Sequence, residues 1–311
     1  MSMASAKVRD GLRDVAVGLL TPFDETGRID HEKLAANATD LASEGLGTFL
    51  ACANISEYHS LTHQERIDIT ETSVSALPDD ACVLAGVGGS TKTAQDLIAN
   101  YERLDVDAMM IMPPDHTYIH EQGLLEYYDA LATTADSPIV PYVRGFEPSV
   151  EFLASLTEIE NVAGIKYAIP DEVKLGQAIA AGDDDVIWVD GMAEPYALSF
   201  WSQGAEGFTA GVTNFEPRLG IALLTALREE NWERARRLQN AAVPYQQFRN
   251  RTGENNTLPD AISVPAVKHG LEMAGFNGGD VREPIVPLSE SDKADAEALY
   301  EQLQTDLEQI L

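Results

Sequence analysis

A lysine interrupts the apolar run Val162-Ala163-Gly164-Ile165-Lys166-Tyr167-Ala168-Ile169, a setting in which an ammonium is costly unless it is paired or neutralised. The chain has seven lysines, and the other six, Lys7, Lys33, Lys92, Lys174, Lys268 and Lys293, read as lying in polar surroundings. Desolvation lowers a lysine's pKa, and a neutral amine is the nucleophile of Schiff-base chemistry with a carbonyl substrate. The position also suits an amphipathic lysine at a strand end whose head reaches solvent. Tyr142 lies near the end of a second apolar run, Ile139 to Val143. It offers either a proton carrier or a strand-end tyrosine whose hydroxyl is tied up in a hydrogen bond.

These two runs belong to a series of eight: Val15 to Phe23, Thr48 to Ala53, Cys82 to Gly88, Ala108 to Met112, Ile139 to Val143, Val162 to Ala168, Val186 to Gly191 and Gly207 to Gly211. Amphipathic stretches alternate with them, among them His31 to Glu44, Gln64 to Leu77, Thr91 to Leu104 and Gln122 to Ala135. The second opens on Thr62-His63-Gln64-Glu65, the spacing of a capping box. Near-continuous apolar strands, each followed by a helix, imply a parallel sheet buried on both faces, and eight such units imply an α/β fold closed into a (β/α)8 TIM barrel. Helical patterns alone follow, at Asn231 to Arg249, Leu258 to Ala274 and Ser291 to Ile310. Residues 1–228 therefore read as the barrel and 229–311 as a C-terminal helical extension packed on it. Barrel chemistry collects at the carboxyl ends of the strands. Those ends carry Thr21-Pro22, Asn54 with Ser56 and Glu57, Gly88-Gly89, Pro113-Pro114, Tyr142 with Arg144, Lys166, Gly191 and Gly211, a coherent set for a small anionic carbonyl substrate.

Composition excludes some partners. Against 21 basic residues stand 51 acidic ones, a net charge of −30 spread along the whole chain, which repels nucleic acid and anionic lipid. So acidic a coat with so few lysines predicts a halophilic protein, soluble in high salt. Cys52 and Cys82 both fall in apolar runs, which argues for a reducing compartment and no disulfide framework. No run of about twenty apolar residues and no leader pattern occurs, so a cytoplasmic location is expected. His59 and His63, like His116 and His120, are four apart, the helical spacing of paired metal ligands, but neither pair has an acidic partner at a recognised spacing. Asp115 and His116 alternatively line the mouth after the fourth strand.

In order along the chain come Leu20-Thr21-Pro22-Phe23, Asn54-Ile55-Ser56-Glu57 with Ser60-Leu61-Thr62, Ala85-Gly86-Val87-Gly88, Pro141-Tyr142, Gly164-Ile165-Lys166 and Gly204-Ala205-Glu206-Gly207. In that combination the chain resembles, over essentially its full length, the dihydrodipicolinate synthase and N-acetylneuraminate lyase superfamily of class I, pyruvate-type aldolases. The resemblance implies that Lys166 forms an imine with a 2-keto acid, that Tyr142 is the general acid/base, and that the substrate carboxylate rests on Asn54, Ile55 and Ser56. It also implies that no cofactor or metal is needed, and that the protein assembles as a homotetramer acting on a small molecule.

The chain departs from the superfamily's dipicolinate-forming members. Where they carry Gly-Thr-Thr-Gly-Glu it has Ala53-Asn54-Ile55-Ser56-Glu57, and Pro113-Pro114-Asp115 replaces their second tyrosine. Glu147 or Pro148 stands near the place of their arginine. Lysine biosynthesis is therefore disfavoured. Pro113-Pro114, Tyr142-Val143-Arg144 and Ser56-Glu57-Tyr58 look closer to sugar-acid branches such as 2-keto-3-deoxygluconate aldolases and 5-dehydro-4-deoxyglucarate dehydratase. There Arg144 would pair with a distal carboxylate or phosphate, or else make a structural ion pair. The expected reaction is cleavage of a 2-keto-3-deoxy sugar acid to pyruvate and an aldehyde. Dehydration of such an acid, or keto-acid binding without turnover, are the alternatives.

Overall fold

The computed structural model describes residues 6–311; the first five residues of the segment read as the barrel lie outside the described residues. Helix α1 (Ala6–Leu12) precedes the first strand and sets Leu12 into the barrel floor. Eight parallel strands then follow one another around a closed barrel: β1 (Val15–Gly18), β2 (Thr48–Ala51), β3 (Cys82–Val87), β4 (Ala108–Ile111), β5 (Ile139–Val143), β6 (Gly164–Tyr167), β7 (Ile187–Asp190) and β8 (Gly207–Thr209). The helices α2 (His31–Ser43), α3 (His63–Ala76), α4 (Thr91–Tyr101), α5 (Glu121–Thr134), α6 (Val150–Thr157), α7 (Glu172–Ala181), α8 (Ala197–Gln203) and α9 (Pro217–Arg228) each follow one strand, in that order. Every strand is buried along its length, as the apolar runs require of a sheet covered outside and filled within. The fold is thus the (β/α)8 barrel read from the sequence.

The strands are shorter than most of the apolar runs that announced them. β1 stops at Gly18, yet Leu19, Leu20 and Phe23 are buried all the same, because past the end of the ladder the chain turns inward over the mouth. Burial outlasts hydrogen-bonded register there, and an apolar run reports only burial. The capping box forms as read: Thr62 Oγ1 accepts the Glu65 N–H at 3.3 Å, and Glu65 Oε2 accepts the Thr62 N–H at 2.8 Å.

Alternation along each strand sends every second side chain into the barrel. Ala16, Leu50, Leu84, Met110, Val140, Val189 and Thr209 meet there around a void of about 10 Å³, and the stem of Lys166 rests on this layer. Packed outside the barrel are α10 (Trp232–Arg249), α11 (Ser263–Met273) and α12 (Glu290–Glu308); α10 lies against α8 and α9, and α12 against α10 and α11. α11 begins five residues later than its pattern, after a turn in which Asp260 adopts φ 60°. Both cysteines are buried and free. Among the described residues no helix is long and apolar enough to cross a membrane.

Candidate active site

Lys166 and Tyr142 are register partners on the adjacent strands β6 and β5, so their side chains enter the barrel at the same height. Lys166 is 8% exposed and Tyr142 2%. The Lys166 Nζ lies 4.2 Å from the centroid of the Tyr142 ring, and among the described residues no carboxylate lies within ion-pair distance of it. Burial lowers the Lys166 pKa; the neighbouring phenol works against this and the Arg144 cation with it. Burial by itself would raise Tyr142, but Lys166 and Arg144 outweigh it, and the phenol ends below its ordinary value. Arg144, exposed at the rim, donates from Nη1 to the Tyr142 hydroxyl at 3.3 Å. Both the amine and the phenol therefore hold their protons less tightly than they would in water.

After β2 the chain forms a single 3₁₀ turn, Asn54–Ser56, closed by Glu57 in the left-handed region at φ 61°. Among the described residues its first two N–H groups, those of Asn54 and Ile55, find no protein acceptor, as at any helix start. Ser56 differs from the expectation. Its hydroxyl donates to the Leu19 carbonyl and accepts the Ala53 N–H, and its own N–H bonds Ala53 O at 3.0 Å. Both donors are spent inside the protein, so Ser56 shapes the turn and has none left for a substrate. The Ile55 side chain packs over Gly18, where a Cβ would come within 2.2 Å of it.

The two glycines read as substrate contacts contribute space instead. The Gly191 N–H is taken by Tyr167 O at 2.7 Å, and a Cβ there would stand 3.1 Å from Lys166 Cγ and 2.8 Å from Ala168 Cβ. Gly211 gives its N–H to Glu194 at 3.1 Å, and a Cβ would fall 1.8 Å from Gln246 Nε2. Gly191 thus makes room for the lysine stem, and Gly211 for a buried network behind it. In that network Glu194, fully buried, also accepts from Thr213 and Gln246, and Gln246 in turn accepts from Arg249. Asp190, 1% exposed, accepts the Met192 N–H on one oxygen and leaves the other unpartnered, and burial drives its pKa well above the usual carboxylate range.

The sequence alone marks none of Glu194, Gln246, Arg249 and Asp190 as part of a site. Asp190 had a signal, an acid inside the run Val186 to Gly191, the same anomaly that marks Lys166. Gln246 and Arg249 had none, since only the docking of α10 brings them in. Lys268, which reads as lying in polar surroundings, is instead 3% exposed, with its Nζ 2.6 Å from Glu57 Oε1.

A cleft of about 410 Å³ opens beside Tyr142, lined by Asn54, Arg144, Pro113, Pro114, Asp115 and His116 among others. Asp115 and His116 do line the mouth, and no tyrosine of the β4–α5 segment lines it. The paired histidines are engaged separately, His63 with Asp96 at 2.8 Å and His120 as the cap of α5. Among the described residues no group of three or more His, Cys, Asp or Glu is placed to hold a metal ion.

Residues 11–303 match the dihydrodipicolinate synthetase family. The chain belongs to that family. Its relatives carry more than one activity in their names. A 4-hydroxy-tetrahydrodipicolinate synthase of Natronomonas pharaonis is 29% identical over 284 residues, covering 90% of this chain and 93% of that one. A probable 5-dehydro-4-deoxyglucarate dehydratase of Bacillus subtilis is 27% identical over 302 residues, covering 94% and 95%. The crystal structure of dihydrodipicolinate synthase from Oceanobacillus iheyensis superposes with a TM-score of 0.90 at 30% identity, covering 96% of this chain and 99% of that one. The family is one of class I, Schiff-base aldolases and lyases.

Proposed function

We propose that the protein is a Schiff-base lyase that cleaves a 2-keto-3-deoxy sugar acid, 2-keto-3-deoxygluconate or its 6-phosphate, to pyruvate and an aldehyde. The observation that carries this reading is the buried Lys166 amine facing the Tyr142 phenol on the neighbouring strand, with no carboxylate among the described residues within ion-pair distance of the amine. The amine attacks C2, the carbonyl oxygen leaves as water, and an iminium forms. The Tyr142 phenolate takes the proton of the C4 hydroxyl. The C3–C4 bond then breaks, its electron pair entering the iminium as an enamine, and the aldehyde departs. Protonation at C3 and hydrolysis release pyruvate and restore the lysine. The carboxylate rests against the free N–H groups of Asn54 and Ile55, and the remaining chain lies in the cleft towards Arg144. No metal or organic cofactor enters these steps.

The relatives named for dipicolinate formation do not carry that reaction over. Ile55 has no hydroxyl, Pro113 and Pro114 stand where a relay tyrosine would, and Glu147-Pro148 replaces the arginine. Dehydration is the second reading, favoured by the full-length likeness to a probable dehydratase and by Arg144 beside the proton carrier. It uses the same iminium and expels a hydroxide instead of an aldehyde. Sodium borohydride with pyruvate is expected to fix a mass adduct on Lys166; absence of an adduct overturns the class I mechanism. On a panel of 2-keto-3-deoxy acids, pyruvate release marks cleavage and α-ketoglutarate semialdehyde marks dehydration. An adduct without turnover of any member marks a binder.

A further inference from the structure

The buried Lys268–Glu57 pair joins the C-terminal extension to the turn that offers free N–H groups beside the site. Lys268 Nζ, on α11, lies 2.6 Å from Glu57 Oε1 and donates to the carbonyls of Thr21, at 2.8 Å, and Asp280. Three acceptors thus surround the three donors of one ammonium. The other Glu57 oxygen accepts the Arg282 N–H at 3.0 Å. The Arg282 guanidinium pairs with Glu65 at 2.8 Å and donates to the carbonyl of Ser60, at 2.9 Å, just beyond the same turn.

Glu57 is the residue that makes the turn possible. It closes Asn54–Ser56 with φ 61° and ψ 39°, a conformation unfavourable for a non-glycine residue that persists only where its surroundings impose it. A glycine would hold this backbone without help. Here a carboxylate anchored from outside the barrel does so, and side-chain exposures of 3% for Lys268 and 0% for Glu57 leave the pair no solvent alternative. If the anchor is lost, Glu57 relaxes, the turn opens, and the N–H groups of Asn54 and Ile55 no longer converge.

We infer that Lys268 is a positioning residue for substrate binding: through Glu57 it aims the Asn54 and Ile55 N–H groups at the carboxylate of the keto acid. It touches no reacting atom. The inference rests on the Schiff-base reading, since the carboxylate must lie beside Lys166.

The test compares two carbonyl compounds that form the same iminium, pyruvate and the neutral ketone hydroxyacetone, each trapped on Lys166 with borohydride over a concentration series. The variant is Glu57→Gln with Lys268→Met, which removes both charges and spares the fold an unpaired buried ion. Half-saturation by pyruvate is expected to rise about tenfold or more, the worth of charge-assisted bonds to a carboxylate. Half-saturation by hydroxyacetone is expected to stay within about twofold. Glu57→Gln alone, isosteric and still able to accept from the Lys268 ammonium through its amide oxygen, gives the same selective loss in smaller degree and serves if the double variant does not fold. Equal changes for both compounds, or none, overturn the inference. Failure of the unaltered protein to trap pyruvate overturns the Schiff-base reading itself.

Discussion

Two lysines are buried at the same end of the barrel, Lys166 8% and Lys268 3% exposed, and they differ in what meets the charge. Lys268 donates to two carbonyls and lies against a carboxylate, so its charge is balanced. Lys166 has the face of a phenol at 4.2 Å and no carboxylate within reach among the described residues. Burial depresses the pKa of both; against it, Glu57 pulls Lys268 back towards the charged form, whereas Lys166 has only the phenol and the more distant Asp190. Burial alone therefore does not make a reactive amine. The missing counter-ion distinguishes them: it sets the amine proposed to form the imine apart from the one proposed to hold backbone.

Substituting each lysine by methionine should separate these roles. Lys166→Met is expected to lower turnover on the order of a thousandfold or more, because no other group can form the imine. Its melting temperature should hold or rise, since a buried amine without a carboxylate partner is a cost to the fold. That gain has a definite pH sign. The folded pKa of Lys166 lies below its unfolded value, so between the two the unfolded chain binds more protons and the unaltered protein gains stability as pH rises. The advantage of methionine should be largest below that window and shrink through it. A lower melting temperature would place Lys166 with Lys268.

Lys268→Met should do the reverse. Unfolding free energy measured in denaturant is expected to fall by about 3–5 kcal/mol, because Glu57 is left buried and unpaired, while Lys166 still reacts with borohydride and ketone. Adding Glu57→Gln should recover most of the loss. If Lys268→Met were as stable as the unaltered chain, the pair would not be what holds the turn.

The contrast between the lysines also explains what the sequence can and cannot reveal. Lys166 is legible because its neighbours in the chain are its neighbours in space: a strand buried on both faces makes an apolar run, and a charge within it stands out. Lys268 sits on a helix, where Val267 and His269 point elsewhere and burial depends on what α11 packs against. Its local surroundings read as polar while its side chain faces the barrel mouth. The eight strands and the capping box were legible on the same local footing. Gln246 and Arg249 were not, because they reach the site over more than fifty residues of chain through the packing of α10 on the turn after β7. α1 was missed as a seven-residue helix, too short for helical periodicity to declare itself.

The smallest expected effect lies in how Arg144 tunes the reactive pair. Its Nη1 donates to the Tyr142 hydroxyl, and its charge is one of two that bring the phenol below its ordinary value against the opposing effect of burial. In Arg144→Leu only Lys166 remains to do so, and the Tyr142 pKa should rise. Cleavage needs the ionised phenol, so the ascending limb of the pH–kcat profile should move to higher pH while its plateau is largely kept. Arg144→Lys, which keeps the charge but loses the fixed fork of donors, should fall between the two. The same shift should appear in the ultraviolet titration of Tyr142, taken as the difference from Tyr142→Phe. An unmoved limb would mean that Arg144 serves the distal end of the substrate alone, and the reactive pair would then be tuned by Lys166 and burial without help from the rim.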